Sequence, residues 1–364
     1  MLNTSESKQQ ALDKLNALVT RGRQSATSVI EYVMTNQPTD RIIKGSAIQF
    51  KPDPNKNGVL AEVPVGEGNV LDEGIHRNAL NQMALAVDMP MKFLDSLANE
   101  RAAWGKELLA HNLNKIFHER FSRKRYLSRS TSGEIRGWLS DQYRRLDSRP
   151  IVEAFATEVQ SKGAMPYQGV VTDTKIAIQA IMPEIYEPIP GELVAYGLSL
   201  ENSDFGNGAL SLRAYLLRIW CTNLAITEET MRQIHLGKRL DDNMIYSQRT
   251  YELDSKATVS ALRDVVRLQL DSKSLTNRMD AVRAANDKGV TTEQARELLK
   301  RTLNKGEAEA AFNAYASPDV YNLPAGQNTW RLSNAISWIA GQTEEPERRL
   351  DLMKAAGDVL PKAA

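Results

Sequence analysis

Between Lys124 and Ser140 the hydrophobic rhythm of this chain changes from that of a helix to that of a strand, and no other feature constrains the fold as much. Tyr126-Leu127-Ser128-Arg129 and Ile135-Arg136-Gly137-Trp138-Leu139 flank Ser130-Thr131-Ser132-Gly133, the pattern of a β-hairpin and its turn. Helical spacing precedes the hairpin and returns far downstream, so neither an all-α nor an all-β fold fits. The spacing predicts an α+β architecture, with a helical N-terminal part, a central antiparallel sheet with packed helices, and a helical C-terminal part.

On the N-terminal side, Leu12, Leu15, Leu18, Val19, Val29, Ile30 and Val33 predict a helix from about Ser5 to Met34, stopped by Pro38. A turn-rich region follows from Ile42 to Asn69, with strand-like Ile42-Ile43 and Ala47–Phe50. Asp72 to Asn99 reads as two helices broken at Pro90, and Glu100 to Phe121 as a third. Beyond the hairpin come a helix over Ile151–Ser161 and strands over Gly169–Thr172, Lys175–Met182 and Leu193–Leu200. Ala209 to Ile226 reads as strand then helix, and the chain from about Ser255 as helical, with a capping signal at Thr291. The expected units are residues 1–70, a central domain over 71–250, and a helical region over 251–364.

The hairpin lies in a chemically unusual segment. From Lys115 to Arg149 there are ten Lys or Arg and four acidic residues, a local charge of +6 in a 364-residue protein whose total is +1. Phe117, Phe121, Tyr126, Trp138 and Tyr143 are interleaved with those charges. Cations that neutralise phosphate beside rings that stack on unpaired bases suit a single-stranded nucleic-acid surface. A solvated basic helix followed by a hairpin whose rings face the core accounts for the same residues.

Other chemistries find less footing. There is no phosphate-binding glycine loop, no nucleophile elbow and no cofactor motif. His111 and His118 lack a third ligand at metal-binding spacing, and His76 and His235 stand alone. The single cysteine, Cys221, sits in an apolar run and reads as a buried, inert thiol. Asp141, Asp147, Asp173, Glu201 and Asp204 fall near strand ends, where convergence of two or three would create a metal-dependent nuclease site. Arg144 and Arg145 either contact phosphate or are satisfied by Asp141 and Asp147. No apolar run approaches the ~20 residues that span a bilayer. With no secretory pattern at Met1–Lys8 and one cysteine, the expectation is a cytoplasmic protein that does not enter membranes.

Gly133-Glu-Ile-Arg-Gly-Trp-Leu-Ser-Asp-Gln-Tyr-Arg-Arg-Leu-Asp147 resembles the first signature of a phage- and plasmid-borne family of unknown function, typified by the prophage YafZ and YfjQ proteins. Gly197 to Leu210, with its Asn202-Ser203-Asp204 turn, and Leu217 to Asn223 resemble the second, although Leu224 stands where that pattern usually has glycine. Asn328 to Ile336 is similar to the family's closing helices. The resemblance implies a mobile-element setting and a bacterial host cytoplasm, and it brings no activity or catalytic residues.

The resulting expectation is a non-enzymatic protein of phage or plasmid DNA metabolism that binds single-stranded DNA, for annealing or strand protection, as a possible homo-oligomer. Arg123, Lys124, Arg125, Arg129, Arg136, Arg144 and Arg145 are the expected phosphate contacts, and Tyr126, Trp138 and Tyr143 the stacking rings. The alternatives are a metal-dependent nucleic-acid-processing enzyme built on Asp141, Asp147 and Asp204, or an interaction protein that counters a host defence factor.

Overall fold

The computed structural model describes residues 4–220, 223–233 and 247–361. It is α+β, with two sheets rather than one central sheet. The first helix, α1 (Thr4–Thr35), buries Ala11, Leu15, Leu18, Val19, Ala26, Val29 and Val33 along one face, as its apolar spacing predicts.

The first sheet contains β1 (Thr39–Lys44), β2 (Gln49–Pro52), β3 (Val59–Gly66), β4 (Asn69–Ile75), β5 (Arg125–Thr131) and β6 (Glu134–Ser140). Its order is β1-β5-β6-β4-β3-β2, and β4–β6 is the one parallel pairing in it. The predicted hairpin is β5–β6, and its turn residues Ser132 and Gly133 both have positive φ (54° and 77°), the two-residue geometry that matches strand twist. The turn-rich region between Ile42 and Asn69 is corrected: most of it is strand. The helix expected from Asp72 begins only at Arg77, and the boundary expected at residue 70 falls inside β4 of the β3–β4 hairpin. Those strands were hidden because Val65, Val70 and Leu71 are exposed, which leaves no clean alternation to read.

Helices α2 (Arg77–Ala86), α3 (Met91–Ala98) and α4 (Ala103–Glu119) lie between β4 and β5 in sequence and cover one face of this sheet. Leu80, Met83, Leu94, Leu109, Leu113 and Phe117 meet Phe50, Tyr126 and Trp138 there.

Beyond α5 (Ser148–Ser161), the second sheet is an antiparallel meander: β7 (Met165–Val171), β8 (Ile176–Ile189), β9 (Glu192–Asn202), β10 (Leu210–Arg218) and β11 (Asn223–Gln233). The strand-then-helix expected over Ala209–Ile226 is corrected to two paired strands. The C-terminal helices are α6 (Gln248–Gln269), α7 (Ser272–Asp287), α8 (Thr292–Thr302), α9 (Lys305–Ala316), α10 (Thr329–Gln342) and α11 (Pro346–Asp358). Thr291 and Gln294 form the predicted capping box. One face of the second sheet packs with α1, α8, α9, α10 and α11, the other with α5, α6 and α7. Among the described residues no helix is long and apolar enough to cross a membrane. Cys221 and His235 lie outside the described residues.

Candidate nucleic-acid interface

The basic segment divides into an inside and an outside. Inside are all three expected stacking rings. Trp138 is 2% exposed and stacks on Tyr126 at 5.0 Å between ring centroids, and Phe117 meets both edge-on. Tyr143 is buried as well, and burial pushes its hydroxyl pKa up; the same cause lifts Tyr126 to about 12. The assignment of these rings to base stacking is therefore corrected. They alternate inward on the pleat of β5 and β6, or follow it directly, and build core instead.

Most of the cations are also engaged. Arg129 is 1% exposed. Its guanidinium donates to Asp40 (Nε–Oδ1 2.7 Å), to Asp147 (Nη2–Oδ1 2.5 Å) and to the Asp204 carbonyl (2.8 Å). Burial alone would lower its pKa, but Asp147, Asp40 and Asp204 more than offset that and raise it. Arg144 grips Asp254 through two nitrogens (2.5 and 2.7 Å) and also reaches Gln233 and Thr258. Arg145 pairs with Asp40 at 3.2 Å and lies over the Tyr251 ring at 4.8 Å. Arg125 pairs with Asp141 at 3.1 Å, and Arg136 with Glu134 at 3.1 Å. These five arginines serve as internal braces, so their assignment as phosphate contacts is corrected too.

Arg129 also marks where the two motif segments meet. Asp204, in the β9–β10 turn, accepts the Ser148 backbone N–H (2.7 Å) and hydroxyl (2.8 Å) on one carboxylate oxygen. Asn202 reaches the Leu146 carbonyl at 2.8 Å, while Asn78 and Gln82 hold the Phe205 carbonyl. Desolvation pushes the Asp204 carboxyl up to about 6, against the pull of Arg129 and the Ser148 hydrogen bonds and aided by Asp147. A cavity of 530 Å³, lined in part by Asp40, Arg145, Asp147, Tyr251 and Lys256, opens beside this network.

The carboxylates weighed as metal ligands are dispersed. Asp141 belongs to Arg125, Asp173 lies 3.5 Å from His76, and Glu201 holds Lys354 at 2.6 Å. Between Asp40 and Asp147 the positive charge is Arg129 itself. Among the described residues no three His, Cys, Asp or Glu side chains group as ligands. His118 bonds the Ile48 carbonyl at 2.6 Å, and His76 caps α2 by accepting the Asn78 N–H.

Outside, at the turn from α4 into β5, stand Arg120, Arg123 and Lys124. Strand pairing places Lys44 of β1 opposite Arg125, so Lys44 joins them. All four are exposed, and among the described residues none has an ion pair. The half-buried ring of Phe121 sits among them, 5.7 Å from both the Arg120 guanidinium and the Lys124 ammonium. Arg123 and Lys124 were visible in the basic run. Lys44 was not, because only long-range β1–β5 pairing brings it there.

Comparison with protein-family models, with curated proteins and with solved structures finds no match.

Proposed function

We propose that this is a nucleic-acid-binding protein that engages the backbone of single-stranded DNA through Lys44, Arg120, Arg123 and Lys124, with Phe121 as the ring available at that surface. The observation that carries the reading is that these four exposed cations lack carboxylate partners among the described residues, whereas Arg125, Arg129, Arg136, Arg144 and Arg145 all have them. An exposed, unneutralised cation cluster gains the counterion-release term of phosphate binding without first breaking an internal pair. The setting implied by the motif resemblance, phage or plasmid DNA metabolism in a bacterial cytoplasm, belongs to the same proposal.

Four phosphate contacts on a single strand predict a slope of log affinity against log salt of about −3. Fluorescence anisotropy of a labelled strand, several times longer than the ~4–16 nucleotides of one such site, measures it beside the matching duplex. The triple variant Lys44→Ala/Arg123→Ala/Lys124→Ala is expected to bring the slope to about −1 while the protein stays folded. Binding that ignores salt, or that survives this variant unchanged, would remove the proposal.

A second reading has one observation in its favour. Leu85, Phe93 and Trp104 on α2, α3 and α4 are large, apolar and exposed, as a protein-docking surface requires. A partner captured from host lysate, retained after nuclease treatment and lost in Trp104→Ser, would favour that reading over the nucleic-acid one.

A further inference from the structure

The second sheet changes character along the face that packs with α10 and α11. At one end it is apolar, with Ile181, Ala195 and Leu217 in the core. At the other, Gln179, Ser199 and Arg213 stand in register across β8, β9 and β10, and Glu201 and Ser211 occupy the next row on the same face. Gln179 is 4% exposed and Ser199 1%, yet Gln179 Oε1, Ser199 Oγ and Glu201 Oε1 have no hydrogen-bond partner. Each such buried atom costs about 1–3 kcal/mol if nothing meets it.

Helix α11 does not close over this row. Two cavities remain, of 190 Å³ and 240 Å³, which share Val170, Ala177 and Leu350 as common wall. The first takes Lys175, Arg213, Arg232 and Lys354 against Glu201 and Glu347; the second takes Gln179, Arg21 and Arg349 with no acid. Lys354 holds Glu201 Oε2 at 2.6 Å and Lys175 holds Glu347 at 2.7 Å, so the carboxylates are matched and cation charge is left over. The cleft thus combines surplus positive charge with acceptors that lack donors. An inorganic anion meets only the first demand. Both are met by a small anion that also carries hydroxyl groups, and each cavity is smaller than the ~300–1,000 Å³ of drug-sized pockets.

We propose that this cleft binds a sugar phosphate of the kind found in nucleotides, independently of the Lys44 patch. The phosphate lies against Lys175, Arg213, Arg232 and Lys354, and the sugar hydroxyls donate to Gln179 Oε1 and Glu201 Oε1. Two sources carry that chemistry, a free mononucleotide and the phosphorylated end of a strand.

Calorimetric titration of the intact protein with ribose 5-phosphate, adenosine monophosphate and inorganic phosphate tests it. The two esters are expected to bind saturably and about tenfold more tightly than inorganic phosphate, the worth of one or two added hydrogen bonds. Gln179→Leu is expected to erase that preference. Arg232→Met, at an exposed position that folding tolerates, is expected to weaken all three by about tenfold, as loss of a charge-assisted contact does. Competition by a 5′-phosphorylated oligonucleotide, but not by its 5′-hydroxyl twin, would identify a strand end as the source; competition by the free nucleotide alone would identify the other. No saturable binding to the folded protein would overturn the proposal, leaving ordered water as the partner of the buried row. So would inorganic phosphate binding as tightly as the esters, or affinities unchanged in Arg232→Met. The Lys44→Ala/Arg123→Ala/Lys124→Ala variant leaves this cleft intact, so failure here and failure of strand binding there are separable.

Discussion

At the scale of single residues, what separates the arginines of the basic segment is burial rather than identity. Arg129 and Arg123 are six positions apart, yet one lies at the centre of a carboxylate cage and the other points to water. Removing one partner from a buried ionic network leaves the others uncompensated, at about 3–5 kcal/mol. Arg129→Met is therefore expected to cost about that much in urea unfolding, because Asp40 and Asp147 lose their common counter-charge. Arg129→Lys should recover only part, since one ammonium cannot reproduce a guanidinium that reaches three oxygens on three segments. By contrast, Arg123→Ala is expected to change stability by no more than about 0.5 kcal/mol. Similar losses at the two sites would contradict this division. Composition announced the cations, but whether each faces a carboxylate depends on Asp40, Asp204 and Asp254, which arrive from distant segments.

At the scale of elements, legibility followed exposure. Where one side of an element meets water the pattern was plain: α1, the β5–β6 hairpin and the Thr291 capping box stand close to where the sequence placed them. The strands β10 and β11 were hidden for a physical reason. Leu212, Ala214 and Leu216 pack into the core shared with α5, α6 and α7, whereas Tyr215, Leu217 and Ile219 pack into the core on the other side. A strand buried on both faces is a continuous apolar run, which periodicity cannot tell from a buried helix. Element contacts also set what a glycine is for. Within α1, a Cβ on Gly22 would lie 1.9 Å from the Tyr167 carbonyl oxygen of β7, so helix and strand touch there backbone to backbone. Alanine is the better helix former by about 1 kcal/mol, but overpacking against a backbone that cannot step aside costs about 1–3 kcal/mol or more. Gly22→Ala is thus expected to lower the unfolding midpoint. In α10, Gly341→Ala meets no atom within 4 Å and is expected to leave the midpoint unchanged or raise it. Stabilisation by Gly22→Ala would mean that α1 and β7 are not in this contact.

At the scale of the whole molecule, the two sheets are joined by a polar seam rather than a shared apolar core. The three core clusters divide accordingly: one belongs to the first sheet with α2, α3 and α4, and two to the faces of the second. Asp204 sits in the seam, between Arg129 of the first sheet and Ser148 at the start of α5, with Asp147 as the neighbouring like charge. That position gives folding a definite dependence on pH. The carboxyl titrates near 6 in the folded protein and near ~3.9 when unfolded, so between those values the folded state binds the extra proton. Stability contributed by this group is therefore greatest below about pH 4 and is lost as pH rises toward 6, the reverse of an ordinary paired carboxylate. Asp95 and Glu307 act in the ordinary sense. Their pKa values are held down by hydrogen bonds from Arg77 and Arg348, so their contribution disappears only in stronger acid. Asp204→Asn keeps an oxygen to accept the Ser148 N–H and hydroxyl but cannot ionise. In urea denaturation across pH 4 to 7, wild type minus variant is expected to fall steadily between about pH 4 and 6 and to level off above, a slope that belongs to one proton. A difference that is flat across that window, or that rises with pH, would show that Asp204 is solvated like a surface carboxylate and that the seam between the sheets is open to water.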